Sequence, residues 1–477
     1  MSMTRGEFDA LYATGSDTAF AVVARLDARV AALEAEVKQL RDQLAGNSRN
    51  SHRPPSSDRT PPPRQQRAGG GKPRGGQPGH RGETLRMVVA PDRVVYHHPA
   101  ACAACGAGLA GAVQLDEQRR QVFEVPAPRL EVTEHRAAQV RCPQCRHATR
   151  AAFPPEAPRS AQYGPRVKAI GVYLLAQQLL PYARACEVLA DLLGCPLTVG
   201  TLEAALATGA AQLADGEAQI ATALAAAPVV HADETSLRIG GQRHWLHVAS
   251  TPTLTHYAAH RQRGHGATEA IGVLPRVSGR LLHDGWAAYR RYPCAHGLCN
   301  AHHLRELTGV EEREGQPWAA ALKALLREGK AHVAARQAAG AAASCPAVAA
   351  AFTARYRALI AEGLAANPPP APVPGRRGRP KQSKTRNLLV RLDQHAADVL
   401  AFLHDWRVPF DNNQAERDLR MMKVQQKISG TFRSAAGATA FCRLRGYLST
   451  LKKQGQHLLT ALELTFAGRP PLPDLTG

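Results

Sequence analysis

Residues 228–237 read PVVHADETSL and residues 279–284 read GRLLHD. Each is a short apolar run that closes on an aspartate, Asp233 in the first and Asp284 in the second. Runs of this length and composition predict buried strands. An ionised carboxylate is costly inside an apolar core, so an aspartate at a strand end faces a loop, a helix terminus or a metal. Between the two runs lie RHWLHVAST (243–251) and LTHYAAHR (254–261), both strand-like, then a helical GATEAIGVLP (266–275). A fifth strand is expected near HGLCNAH (296–302), after a short helix.

Three strands, a helix and a fourth strand are the layout of a ribonuclease-H-like fold, in which the first and fourth strands lie side by side. That pairing would bring Asp233 and Asp284 together, and two adjacent carboxylates repel unless a cation sits between them. Hard oxygen ligands with open positions suit Mg²⁺ or Mn²⁺. A third acid, Glu416, falls on a predicted helix from about Asp411. There Asn412 and Glu416 are spaced i,i+4, as are Glu416 and Arg420. One helix face thus offers an amide, a carboxylate and a guanidinium, a set able to hold a metal and grip a phosphate. On spacing alone, a solvated face with an ordinary Glu–Arg pair is the simpler reading.

Outward from this core the chain reads as a multidomain α+β protein. Valines 23, 30 and 37 with Leu44, and leucines 26, 33 and 40, fall at alternating steps of three and four. Valine at a with leucine at d favours a parallel two-stranded coiled coil, so residues 1–46 are expected as a dimerising helix in a homodimer or higher oligomer. Residues 47–86 are rich in Pro, Gly, Ser and Arg and read as a basic disordered linker. Residues 87–155 form a zinc-ribbon-like module, with strands expected at Gln121–Val125 and Leu130–Val132. Residues 156–227 are helical and contain two helices of helix-turn-helix proportions around Gly194. The second of them, TVGTLEAALATGAAQL, has no Lys or Arg, which fits a plain helical hairpin equally well. The α/β domain is expected over 228–455 with a helical insertion at about 311–386, and 456–477 as a C-terminal tail.

Lys and Arg number 60 against 39 Asp and Glu, a formal charge of +21. An excess of this size favours a polyanion such as double-stranded DNA. No run of about eighteen apolar residues exists to span a bilayer, and MSMTRGEFDA lacks a signal-peptide pattern. A cytoplasmic, nucleoid-associated protein without membrane contact is the expectation. Cys102, Cys105, Cys142 and Cys145 form two C-x-x-C pairs, suited to a closed tetrahedral structural Zn²⁺ site; a redox role needs only one pair. Six nearby arginines make DNA contact by this module an open alternative. Cys294, His296, Cys299, His302 and His303 fall within ten residues. A second zinc site is one reading of them, but a strand-to-helix path would spread them over opposite faces, so they are read instead as buried or site-edge groups, with His302 placed to meet DNA near the metals. Arg377, Arg379 and Lys381 lie in RRGRPK after a Pro-rich break, a basic hinge suited to phosphate contact.

HADET (231–235), HDGWAAY (283–289) and NNQAERDLR (412–420) resemble the three active-site motifs of DDE transposases of the insertion-sequence 66 family. The Pro/Ser/Gly-rich N-terminal segment, the paired C-x-x-C region, CNAHHLREL (299–307) and the RGRPK-containing run fit the same pattern. The resemblance implies that Asp233, Asp284 and Glu416 ligate two Mg²⁺ or Mn²⁺ ions. Such a pair stabilises the attacking and leaving oxygens of an in-line displacement at phosphorus. It further implies nicking of element ends to give a 3′-hydroxyl and joining of that end to target DNA. Arg417 and Arg420 become candidate phosphate contacts and small accessory proteins candidate partners. A nuclease on the same fold that never joins DNA, and a domesticated zinc-containing DNA-binding protein, are the rival readings.

Overall fold

In a computed structural model of the chain, residues 5–13, 15–47, 49–51, 85–370 and 380–476 are described. Most of the basic 47–86 segment lies outside them, as do Arg377 and Arg379. The chain divides into two compact units, Pro61–Glu131 and a larger one of Met1–Thr60 with Val132–Gly477.

In the smaller unit the described residues make turns and an isolated bridge between Ala101 and Gly108. The Gln121 side chain grips Val88 through both its amide groups, at 2.7 and 2.8 Å. The strands expected at Gln121–Val125 and Leu130–Val132 do not form. Val122 and Val125 are 90% and 80% exposed, so among the described residues the alternation meets neither a partner strand nor a core. Alternating sequence becomes a strand only where both exist.

The larger unit begins with helices α1 (Arg5–Ala13) and α2 (Ser16–Ala45), the latter carrying the heptad residues on one continuous helix. Val23, Leu26, Val30, Leu33, Val37, Leu40 and Leu44 are all exposed. The chain then returns to described structure in a small hairpin of β1 (Gln139–Arg141) and β2 (Ala148–Arg150). Helices α3 (Pro165–Val172), α4 (Tyr182–Leu193), α5 (Val199–Gln212) and α6 (Ala214–Ala226) follow. Leu202, Ala205, Leu206, Gly209 and Ala210 of α5 are buried against neighbouring helices, which suits the plain hairpin over a groove-reading helix.

The α/β core then runs β3 (Val229–Ile239), β4 (Gln242–Ser250), β5 (Thr255–His260), α7 (His265–Ile271), β6 (Arg280–His283) and β7 (Ala295–Leu298). Sheet order is β5-β4-β3-β6-β7, with β3, β6 and β7 parallel and β4 and β5 antiparallel. The β3–β4 turn is made by Gly240 and Gly241, both at positive φ, which glycine adopts without steric cost. One sheet face packs Leu237, Ile239, Leu246, Val248 and Tyr257 into the core shared with α3–α5. The other packs Val230, Ala232, Ala249 and Leu281 against α6 and the α7 region.

Helices α8 (Asn300–Glu314), α9 (Pro317–Ala338), α10 (Pro346–Ala366), α11 (Lys384–Gln394), α12 (Ala396–Val399) and α13 (Ala401–His404) build a second core around Trp318, Tyr356 and Phe402. The chain returns to the sheet as α14 (Asn413–Ser429) and α15 (Ala435–Lys453). Residues 456–477 are more than a tail. They include α16 (Leu458–Phe466), whose Ala461 and Leu462 are buried in the core beside α3 and α15, because its apolar residues recur at helical spacing. Among the described residues no helix is long and apolar enough to cross a membrane.

Candidate active site and metal centres

Val229–His231 of β3 pair in parallel with Arg280–Leu282 of β6, so the two aspartates emerge at the same end of adjacent strands. Asp284 directly follows β6. Asp233 is not at a strand end, contrary to expectation: β3 continues to Ile239, because β4 pairs with it along the whole hairpin arm. What ends near Asp233 is the ladder to β6, and that opens the space beside it. The register of this pairing is held by close approach at Gly279, where a Cβ would lie 2.3 Å from the Ala227 carbonyl oxygen.

Burial, then the charges of Glu234, Asp284 and Glu416, push the Asp233 carboxyl well above the usual carboxylate range. The Glu234 backbone N–H opposes this by donating to Asp233 Oδ1 at 2.8 Å. Asp284 Oδ1 accepts the Trp286 backbone N–H at 2.8 Å. Glu416 is raised by burial and by the fields of Asp411 and Asp284, against the pull of Arg305 and Arg420. Its Oε1 is buried with no hydrogen-bond donor, and the Arg305 guanidinium is 3.7 Å away. Asp233 and Glu416, both raised by burial and by the charge of Asp284, form with Asp284 an all-oxygen donor set suited to divalent cations.

Glu416 is brought there by α14, and Asn412 fixes that helix's start. The Asn412 side chain is hydrogen-bonded to His231 Nδ1 at 2.8 Å and donates to the Ala232 carbonyl at 2.9 Å. Its backbone N–H donates to Cys299 Sγ at 3.1 Å. The amide is therefore spent on the core, and the helix face expected to present Asn412 with Glu416 and Arg420 presents those two without it. Farther along, Lys423 and Gln426 donate to the Ser236 carbonyl and hold α14 along β3.

Arg417 is exposed and donates to Gln414, and Arg420 and Lys381 are exposed. Of the Cys/His cluster, His296 is hydrogen-bonded to His283 and to the Tyr292 carbonyl, and buried His303 to Asn300. Cys299 and His302 instead turn toward Glu416, with one ligand atom from each of the three within 4.8 Å of the others.

Sequence reasoning missed the surroundings of the acids. The Glu234 side chain is buried, accepts Arg263 at 2.6 Å and also accepts the Tyr289 hydroxyl. The Arg263 guanidinium lies between two rings, 4.9 Å from the Trp245 centroid and 4.3 Å from that of Trp286. These residues come from four separate segments: Glu234 lies in HADET and Trp286 and Tyr289 in HDGWAAY, but nothing local marks Trp245 or Arg263 as their partners. Arg305 sits in CNAHHLREL, where its helical position gave no cue to Glu416.

The two cysteine turns lie in different compact units and have matching backbone geometry. Cys102 N–H donates to the Ala107 carbonyl at 2.8 Å, and Cys142 N–H to that of His147 at 2.8 Å. Backbone N–H groups of Cys105 and Ala104 lower the Cys102 thiol, and those of Cys145 and Gln144 lower Cys142. Each turn is thus biased toward the thiolate a metal requires.

Residues 160–440, more than half of the chain, match the family model described as Transposase IS66 family. Residues 99–146 match the zinc-finger binding domain of transposase IS66, spanning both cysteine turns. Residues 9–86 match a Family of unknown function (DUF6444). A comparison with curated proteins finds no match. The match over the helical segment and the α/β core, together with the zinc-finger match, shows that this chain belongs to the IS66 family of transposases.

Proposed function

We propose that the chain is a DDE transposase that cuts element ends and joins them to target DNA through a ribonuclease-H-like catalytic domain. The observation that supports this reading is that Asp233 and Asp284 emerge on the same side of the paired strands β3 and β6, with Glu416, in the first turn of α14, near enough to act on Asp233 electrostatically. The sheet order supports the fold assignment, since it sets the first and fourth strands of the domain side by side.

In this reading Asp233, Asp284 and Glu416 hold two Mg²⁺ or Mn²⁺ ions. Such ions would supply Lewis acidity at the attacked phosphorus and at the departing oxygen. The chain's own part is to hold the three carboxylates together. Asn412 does so by tying α14 to β3. Arg305, Arg417, Arg420 and Lys381 supply positive charge for the DNA backbone, and His302 borders the same site. Cys102, Cys105, Cys142 and Cys145 together hold one structural Zn²⁺, and α2 pairs with a second copy along its exposed Val/Leu stripe.

The test is cleavage and strand transfer on DNA carrying the element's ends, with Mg²⁺ or Mn²⁺ supplied. Asp233→Asn, Asp284→Asn and Glu416→Gln should each lose several kcal/mol of transition-state stabilisation, about a hundredfold in rate or more. Full activity in all three would refute the site. Cleavage without joining would make the protein a nuclease instead.

A further inference from the structure

Beside the acid group lies a second donor set of different chemistry. Cys299 caps α8, His302 is in its first turn and Glu416 is in the first turn of α14. One ligand atom from each falls within 4.8 Å of the other two. Cys299 Sγ receives the Asn412 backbone N–H at 3.1 Å, and the backbone N–H groups of His302 and Ala301 also point at it. Burial nonetheless holds this thiol up, at about 12, whereas the exposed Cys102 and Cys142 are lowered, so a metal ion has to displace the Cys299 proton. Glu416 Oε1 is buried with no hydrogen-bond donor. Arg305 approaches it only at ion-pair distance, 3.7 Å.

We propose that Cys299, His302 and Glu416 bind one zinc ion, in a site distinct from the zinc finger that shares Glu416 with the acid group. A thiolate and an imidazole select zinc over Mg²⁺, which prefers oxygen alone. Three protein ligands leave the fourth tetrahedral position open, the pattern of a site that takes water or a ligand oxygen and not of a closed structural one. Binding replaces the Cys299 S–H bond with a Zn–S bond, and the proton passes to solvent. A Glu416 carboxylate engaged by zinc is withdrawn from Asp233 and Asp284, so zinc and Mg²⁺ compete for it. The site depends on these three ligands and not on strand transfer, so it stands or falls separately from the proposed reaction.

The experiment is zinc stoichiometry on the full chain, stripped with a chelator and titrated against a chromophoric zinc indicator. Wild type should bind one more equivalent per chain than Cys299→Ser or His302→Gln, whereas Cys142→Ser should lose a different equivalent, additive with the first. His302 is only half-buried, so His302→Gln preserves the fold if the buried Cys299→Ser does not; circular dichroism checks both. Equal stoichiometry in wild type and His302→Gln overturns the proposal, whatever the zinc finger does.

Discussion

Asn412→Ala tests how Glu416 reaches the aspartates. The side chain is 2% exposed and makes two bonds, to His231 Nδ1 at 2.8 Å and to the Ala232 carbonyl at 2.9 Å. Truncation leaves both partners buried and unsatisfied. Each such group costs about 1–3 kcal/mol, so the variant should lose about 2–6 kcal/mol. The Asn412 backbone N–H to Cys299 survives the change, so the loss belongs to the amide. The neighbouring Asn413 is exposed, and Asn413→Ala should stay within about 0.5 kcal/mol of wild type. Urea unfolding followed through tryptophan fluorescence reads the difference, since Trp245 and Trp286 lie in the α/β core. Strand transfer should fall by more than the unfolded fraction explains, because α14 loses its tether beside Asp233. If Asn412→Ala unfolds at the same urea concentration as Asn413→Ala, the clamp plays no part in holding the helix.

Buried His303 gives a pH prediction. Burial, then the nearby charges of Arg391 and His302, hold its imidazole down at about 3. The unfolded chain takes up that proton near 6.5 and the native chain does not, so stability falls as pH drops below 6.5 by about 1.4 kcal/mol per unit. At pH 5 the loss is about 2 kcal/mol, and in His303→Gln the urea midpoint should change less between pH 7.5 and 5 than in wild type. Gly279→Ala should destabilise the β3–β6 junction, because its Cβ would meet the Ala227 and Pro228 carbonyl oxygens at 2.3 and 2.5 Å; a melting temperature unchanged within error would contradict the close approach. Cys102→Ser should expose residues 85–155 to limited proteolysis while the melting of the α/β core changes little.

Much of the fold was legible because its signals are local. The apolar runs of β3 and β6, the alternation in β4 and β5, and the break at Gly194 are each written in a few consecutive residues. The quoted motifs carried the family. The chain's charge and its C-x-x-C pairs likewise need no coordinates to suggest DNA and zinc. Other features depend on what a segment meets. Gln121–Val125 has the alternation of a strand but finds no partner, and Leu458–Phe466 reads as an ending yet is drawn into a core. Only the tertiary structure turns Asn412 inward to His231, brings Arg305 and His302 to Glu416, and stacks Arg263 between Trp245 and Trp286. Periodicity fixes which face of an element is buried, but not which distant side chain waits there. That choice is made by packing, where the need to satisfy every buried polar group selects among the arrangements the sequence permits.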